Sequence, residues 1–445
     1  MTNPASDART RWFVLAAAFL GWMFDGLEMG IFPLVARPAL QDLMHLQAAD
    51  DALIGLWIGR ITALFLIGAA CGGLLFGWLG DRIGRVRSMT LSILTYSIFT
   101  GLCYLASEPW QFGAMRFVAA LGMGGEWALG VALVVECWPE HLRPVLAGVI
   151  GAASNVGFAS VGVAALIHPV QPDSWRWVML AGAAPAVLTL FISLCVPESE
   201  RWKESVKKRT VHPLREVLSP PLLKRTLFGI TFAGVALIGT WGSVQTIPSW
   251  VDKLAHLQGQ GGAAALQGAD PKAVAQLICA IGAIVGCLIG PLVGAWTGRR
   301  MAYFGLCLLS LVLCGWLYRG FQEHSTLLLV VIGLVGATTA AFYGWLPLYL
   351  PELFPTRVRA TGQGISFNAG RILAAVGALY AGSLTKFYGG DYARTGSMIT
   401  LVYVVGMIVI WFAPETKGKP LPDDIAPEAG AQRTGAEHAA SAERR

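Results

Sequence analysis

The sequence predicts an all-α membrane protein of twelve transmembrane helices in two pseudo-symmetric six-helix bundles, and three observations carry that prediction. The chain is apolar: of its 445 residues, 55% are hydrophobic and only 13% charged, about half the charged fraction of a soluble domain. It contains runs of roughly 20 apolar residues, each long enough to cross hydrocarbon as a helix. It also repeats itself, because the frame Glu136-x-x-Pro139-x-x-x-Arg143 returns 216 residues later as Glu352-x-x-Pro355-x-x-x-Arg359. Gly77 with Gly294, and Pro197-Glu198 with Pro414-Glu415, keep an offset of 217. A duplication this long in a chain this apolar points to two halves that enclose something between them.

Taken in order, the first half places helices near 12–37, 54–79, 88–107, 111–136, 144–168 and 175–196, and the second near 226–250, 273–296, 301–319, 326–350, 361–388 and 395–412. The chain then divides into a bundle over 1–196, a short basic linker over 197–225, a second bundle over 226–412 and a tail over 413–445. That tail is rich in Ala, Glu, Pro and Arg without periodicity and is expected to be disordered. About 23 of the 33 Lys and Arg residues fall on the side that holds both termini, against about 4 on the other. The excess puts both termini in the cytoplasm and the chain in a plasma (inner) membrane.

Several classes are excluded. The first apolar segment is interrupted by Asp25 and Glu28 and lacks a following A-x-A site, so it reads as a retained helix and not a cleaved signal. Short basic loops offer no folded surface for nucleic acid. The run Gly122-Met123-Gly124-Gly125 lies inside a span and is not followed by G-K-[ST], so there is no nucleotide site. Seven histidines and eight cysteines show no metal-ligand spacing. The chain is therefore expected to need no metal or cofactor and to work as a monomer driven by an ion gradient, with a small-molecule substrate and the lipid bilayer as its partners. It is not expected to be an enzyme.

The loop Gly77-Trp78-Leu79-Gly80-Asp81-Arg82-Ile83-Gly84-Arg85 resembles the signature loop of the major facilitator superfamily. The repeat, the twelve spans and the PES and PET strings match that superfamily over the whole chain, which implies the major facilitator fold. Asp81, Arg82, Arg85, Glu136, Arg143, Glu352 and Arg359, with Arg299, lie at one membrane depth. They read either as a cytoplasmic latch between two rocking bundles or as charges that anchor helix ends. The second-half loop is reduced to Gly298-Arg299-Arg300 without an aspartate, which predicts an asymmetric latch.

Within the superfamily, the E-x-x-P-x-x-x-R frames look like the sugar porters. Those carry paired glutamines in the seventh helix, where this chain has Gln245 alone in Trp241–Pro248. Asp25-Gly26-Leu27-Glu28 is similar instead to the acidic motif of aromatic-acid and metabolite:proton symporters. Leu121–Glu126 and Ser366–Arg371 resemble organic-acid carriers, including the sialic-acid and monocarboxylate group.

Charges inside a membrane are costly and need a partner or a purpose. Asp25 and Glu28 share a helix face one turn apart, so they read as a repelling pair suited to carry a proton, or as permanent ion pairs with Arg60 or Arg116. Glu126 is either a second proton site or a partner of Arg116. Arg371 has Ser154 at the equivalent place in the first half, so the repeat does not demand an arginine there. A guanidinium at that depth can hold a carboxylate through two hydrogen bonds, or it can pair with a carboxylate of the facing half. Asn155, Asn368, Gln245, Tyr343 and Trp127 are candidates for the cavity wall, with Trp345 beside them; helix packing explains such residues equally well. The expectation is a proton-coupled symporter of a small organic anion working by alternating access, with a sugar porter and an export antiporter as alternatives.

Overall fold

The computed structural model describes residues 4–45, 51–167, 170, 172–208, 212–242, 244, 247–248, 250–251, 254, 271–323, 325–388 and 392–422. The described residues are helical and hold no strand. In the first half the helices are α1 (Pro4–Leu43), α2 (Asp51–Ile83), α3 (Arg85–Leu102), α4 (Pro109–Cys137), α5 (Arg143–Ile167), α6 (Trp175–Ala181) and α7 (Ala186–Cys195). Two short helices follow, α8 (Glu200–Lys208) and α9 (Pro213–Val217). The second half contains α10 (Pro220–Gly242), α11 (Pro271–Thr297), α12 (Arg299–Gly320), α13 (Thr326–Leu353), α14 (Arg359–Phe387), α15 (Tyr392–Ile399) and α16 (Val402–Val409).

Eleven segments among the described residues are long and apolar enough to cross a membrane. The twelfth long helix is α14, of 29 residues. Two spans are broken where the sequence analysis expected single helices. The sixth is α6 and α7 joined by a tight turn, with Ala184 N bonded to Ala181 O and Leu188 N to Pro185 O. Pro185 has no N–H to continue the α-helical ladder, so the chain tightens to i→i+3 bonds there. Helices α15 and α16 meet at a similar tightened turn around Thr400-Leu401.

The two halves repeat one packing scheme. Helices α1 and α5 pack together as α10 and α14 do, and α2 and α4 as α11 and α13 do. The halves meet along α2 against α14 and α5 against α11. Glycines permit this closeness: a Cβ on Gly72 would run into the Leu121 carbonyl, and one on Gly286 into the Ala337 carbonyl. The run Gly122, Gly124 and Gly125 serves the same end, since α4 presses there on backbone of α3 and α2 and on Phe76.

Both ends of the described chain lie on one face. Trp138 Nε1 donates to Arg11 O, and Arg359 Nη2 reaches Pro422 O. The connections α2/α3, α4/α5, α11/α12 and α13/α14 gather on the same face, called the basic face below. Gly84 and Gly298 turn the chain there with φ of 114° and 100°, values that a side chain disfavours.

Replacing Gly72 by Leu should overpack the α2–α4 contact and cost about 1–3 kcal/mol, seen as a lowered melting temperature of the purified protein. Gly162→Ala, at a position with open space around it, should leave the melting temperature unchanged.

Candidate functional site

A cavity of about 310 Å³ lies between the halves, lined by α1, α2, α4 and α5 on one side and by α10, α11, α13 and α14 on the other. Trp22, Phe65, Phe158, Trp241, Tyr343 and Phe367 give it a mostly aromatic wall. Asn155, Ser154, Thr240, Thr339 and Gln276 add neutral polar groups, and Arg371 is the one charged group lining it among the described residues.

Arg371 is 7% exposed. Its guanidinium lies 5.0 Å from the centre of the Phe367 ring, and Nη1 donates to Asn368 Oδ1 at 3.1 Å. Among the described residues no carboxylate forms an ion pair with it, although Asp25 is near enough for its charge to be felt. Asn155 also lines the cavity, with its amide directed at Cys287 Sγ, 3.6 Å away. Tyr343 lines it beside Thr240.

Asn368 does not face the cavity. Its Nδ2 donates to Gly124 O at 3.2 Å and Gly364 O at 2.9 Å while its Oδ1 accepts from Arg371, so the amide is consumed by protein partners. Trp127 stands behind the wall, stacked on Phe367 with ring centres 4.3 Å apart. Trp345 sits in a separate aromatic cluster with Tyr303, Phe232 and Tyr349. Gln245 lies outside the described residues.

The two carboxylates of α1 do not pair alike. Glu28 is ion-paired with Arg116, and Thr100 Oγ1 donates to it at 2.9 Å. The Arg116 guanidinium is sandwiched by Phe32 and Phe65, with ring centres at 5.1 and 4.8 Å. Glu28 is therefore neutralised across α1 and α4. Asp25 faces Glu126 of α4 instead, closely enough for one proton to join them. Among the described residues, no other group donates a hydrogen bond to any of their four carboxyl oxygens. Gly21, one turn before Asp25, makes the room: a Cβ there would collide with Glu126 Oε1. Arg60 forms no ion pair among the described residues; it is exposed and lies over Trp57.

On the basic face, Glu136 is the hub. Its Oε1 accepts from Arg85 at 3.1 Å and, across the interface between the halves, from Arg359 at 3.0 Å. Asp81 bonds Arg85 at 2.8 Å and accepts the backbone N–H of Thr361 at 2.7 Å and of Ala360 at 3.3 Å, in the first turn of α14. That helix end is a natural anion site. Arg85 Nη2 also reaches Thr356 O at 2.7 Å. Trp202 of α8 covers the cluster by donating to Asp81 O.

The second half repeats only part of this. Arg299 grips Glu352 through Nε at 3.0 Å and Nη2 at 2.7 Å, within its own half. Glu198 accepts from the N–H groups of Arg85 and Val86, and Glu415 from those of Arg299 and Arg300. Burial pushes the Glu198 carboxyl above its ordinary range despite these donors. At Glu415, burial acts the same way but four backbone N–H groups outweigh it, and the carboxyl titrates low. Arg82 and Arg143 stand outside the cluster, contrary to expectation. Arg82 points outward over Trp78, and Arg143 is taken by Glu140 three residues before it.

A bundle of twelve long helices with a central cavity and one tied face has a known counterpart. The chain matches the Major Facilitator Superfamily over residues 12–378. It belongs to that superfamily. Its relatives include the sialic acid transporter NanX of Escherichia coli (strain K12), 26% identical over 402 residues, 89% of this chain and 92% of that one. The cis,cis-muconate transport protein of Acinetobacter baylyi is 26% identical over 422 residues, 91% of this chain and 94% of that one. Among solved structures, the proton:xylose symporter XylE of E. coli superposes with a TM-score of 0.73 at 17% identity, covering 93% of this chain and 98% of that chain. This facilitator is thus a multi-pass membrane transporter of small molecules and not an enzyme.

Several functional features escaped the sequence reading. Gly21 carries no signal as a lone glycine in a helix, yet its spacing of four before Asp25 could have marked the space beside that carboxylate. Glu140 had one: it stands in the first frame where the second has Thr356.

Glu136→Ala should leave the buried Arg359 guanidinium without its carboxylate and Arg85 with Asp81 alone, at a cost of about 3–5 kcal/mol, lowering the melting temperature and opening the basic face to protease. Arg82→Ala should change neither reading.

Proposed function

We propose that the chain is a proton-coupled symporter that takes up a small aromatic or unsaturated organic acid by alternating access, as a monomer with the basic face in the cytoplasm. The observation that carries this reading is Arg371, a guanidinium buried in the cavity with no carboxylate paired to it among the described residues. An ionised group at that depth is costly unless an anion joins it, and a substrate carboxylate completes the bidentate pair. The aromatic wall suits a flat, apolar acid better than a polyol, whose hydroxyls need many hydrogen bonds. The sialic acid and cis,cis-muconate named for the relatives are themselves carboxylates.

Asp25 and Glu126 supply the proton site. Two carboxylates facing each other can hold a proton between them. The charged groups around them are Arg371 on α14 and Glu28 on α1, with Tyr96 on α3 close by. Glu28 is already balanced by Arg116, which leaves Arg371 as the cation that Asp25 feels.

That proximity accounts for coupling. While Arg371 is bare, its positive charge opposes proton uptake at Asp25. An acid docked on Arg371 cancels that charge, so acid and proton favour each other's binding, a reciprocal linkage. With the acid on Arg371 and a second proton joining the one that Asp25 and Glu126 share, the site is neutral and can cross the occluded state. In this state the basic face is tied shut, and the acid arrives from the opposite side.

The deciding measurement is uptake of labelled benzoate, cis,cis-muconate, sialic acid and xylose into proteoliposomes, with and without an inward proton gradient. Acid accumulation should rise with the gradient and vanish in Arg371→Ala; xylose uptake indifferent to that arginine would turn the reading to a sugar porter. Asp25→Asn should abolish uphill uptake while exchange persists, and intact concentrative uptake in that variant would remove Asp25 from the coupling role.

A further inference from the structure

Asn368 occupies a place that neither the cavity nor the latch explains. It is 1% exposed, and its carboxamide makes three hydrogen bonds, two within α14 and one to the facing half. The acceptor oxygen holds Arg371 Nη1 at 3.1 Å. One N–H returns to Gly364 O on its own helix, and the other crosses between the halves to Gly124 O of α4 at 3.2 Å. Gly124 lies two residues before Glu126. The α2 residue Gly73 packs against the amide so tightly that a Cβ there would strike it. The guanidinium that faces the cavity is therefore tied through one rigid, fully bonded amide to the backbone beside the Asp25–Glu126 pair.

Resting on the transport reading above, we propose that Asn368 is the positioning residue that couples the anion site to the proton site. An acid docking on Arg371 competes for the Nη1 donor that Asn368 now holds. Releasing that bond frees the amide, and with it the inter-half bond to Gly124 O beside Glu126. Halves that rock apart along α4 and α14 have to break this bond, so occupancy of Arg371 decides when it breaks. An amide is required because the position needs an acceptor for Arg371 and two donors for carbonyls. Alanine supplies neither, and aspartate would itself neutralise the arginine.

The test uses the full chain in proteoliposomes with labelled cis,cis-muconate as the probe, measuring counterflow exchange and proton-driven accumulation side by side. Asn368→Ala and Asn368→Ser are compared with wild type, along with Gly73→Ala, which keeps the amide but displaces it; monodisperse elution confirms folding. Exchange should persist with a raised half-saturation, while accumulation falls to the level seen without a gradient. Equal loss of both would reduce Asn368 to a support for acid binding, and unchanged accumulation in all three variants would remove it from transport; either result overturns the link alone. A wild type that neither exchanges nor accumulates muconate, benzoate or sialic acid overturns the transport reading and the link together.

Discussion

A charge taken out of water between membrane helices needs a counter-charge, a proton or a hydrogen-bonded network, because the desolvation cost is otherwise several kcal/mol. This chain buries many such charges, and most are visibly answered. Glu28 has Arg116, Glu352 has Arg299, and Asp81, Arg85, Glu136 and Arg359 answer one another. Among the described residues two places stand out: Arg371, held by a neutral amide and an aromatic ring and not by a carboxylate, and the Asp25–Glu126 pair, whose oxygens have no other donor. One lacks an anion and the other lacks a proton. The rest of the bundle is arranged around this deficit, from Gly21 making room for Glu126 to Asn368 fixing the guanidinium.

Duplication explains the symmetric part of the structure, and its decay explains the asymmetric part. Arg85 with Glu136 and Glu198 matches Arg299 with Glu352 and Glu415, down to the bonds that each arginine makes to Gly80 O and Gly294 O. The two frames differ at one decisive position. Glu140 in the first frame captures Arg143 locally. Its counterpart, Thr356, has no charge to offer Arg359, which crosses to Glu136. Asp81 then adds a second crossing to the start of α14. Among the described residues of the basic face, the acids that tie the halves together, Asp81 and Glu136, both belong to the first half.

Most of the fold was legible because hydrophobic runs and a long repeat are properties of the chain itself. Helix breaks were not, since Pro185 within an apolar run reads as a tolerated residue until the bonds around it are known. At the site, residue types were legible and partners were not. Asp25, Glu28, Glu126, Arg116 and Arg371 all stand out as charges in spans, but i,i+3 spacing joined Asp25 to Glu28 within one helix. The structure joins each of them to α4 instead: Asp25 to Glu126 and Glu28 to Arg116. Pairing between helices depends on rotation and depth, which a linear pattern does not encode. Asn368 and Trp127 were misplaced for the same reason, because a polar or aromatic residue one step around a helix turns from the cavity to a neighbour.

The position of each charge along the membrane also separates gate from cargo site. In the proposed alternating access, opening the basic face would part Arg359 from Glu136 and Asp81 from α14, and water entering the cleft would replace the lost bonds. Glu136 keeps Arg85 within its own half throughout. Breaking the latch therefore costs far less than removing one partner of a buried pair while the site stays dry. Arg371 and the carboxyl pair have no such recourse, since the halves close over them in the occluded state before either side is open. In the proposed symport, neutralisation lowers that barrier, with an anion on Arg371 and protons on the carboxyl pair. Coupling in that symport runs through Arg371, whose charge Asp25 feels, and needs no contact between substrate and proton.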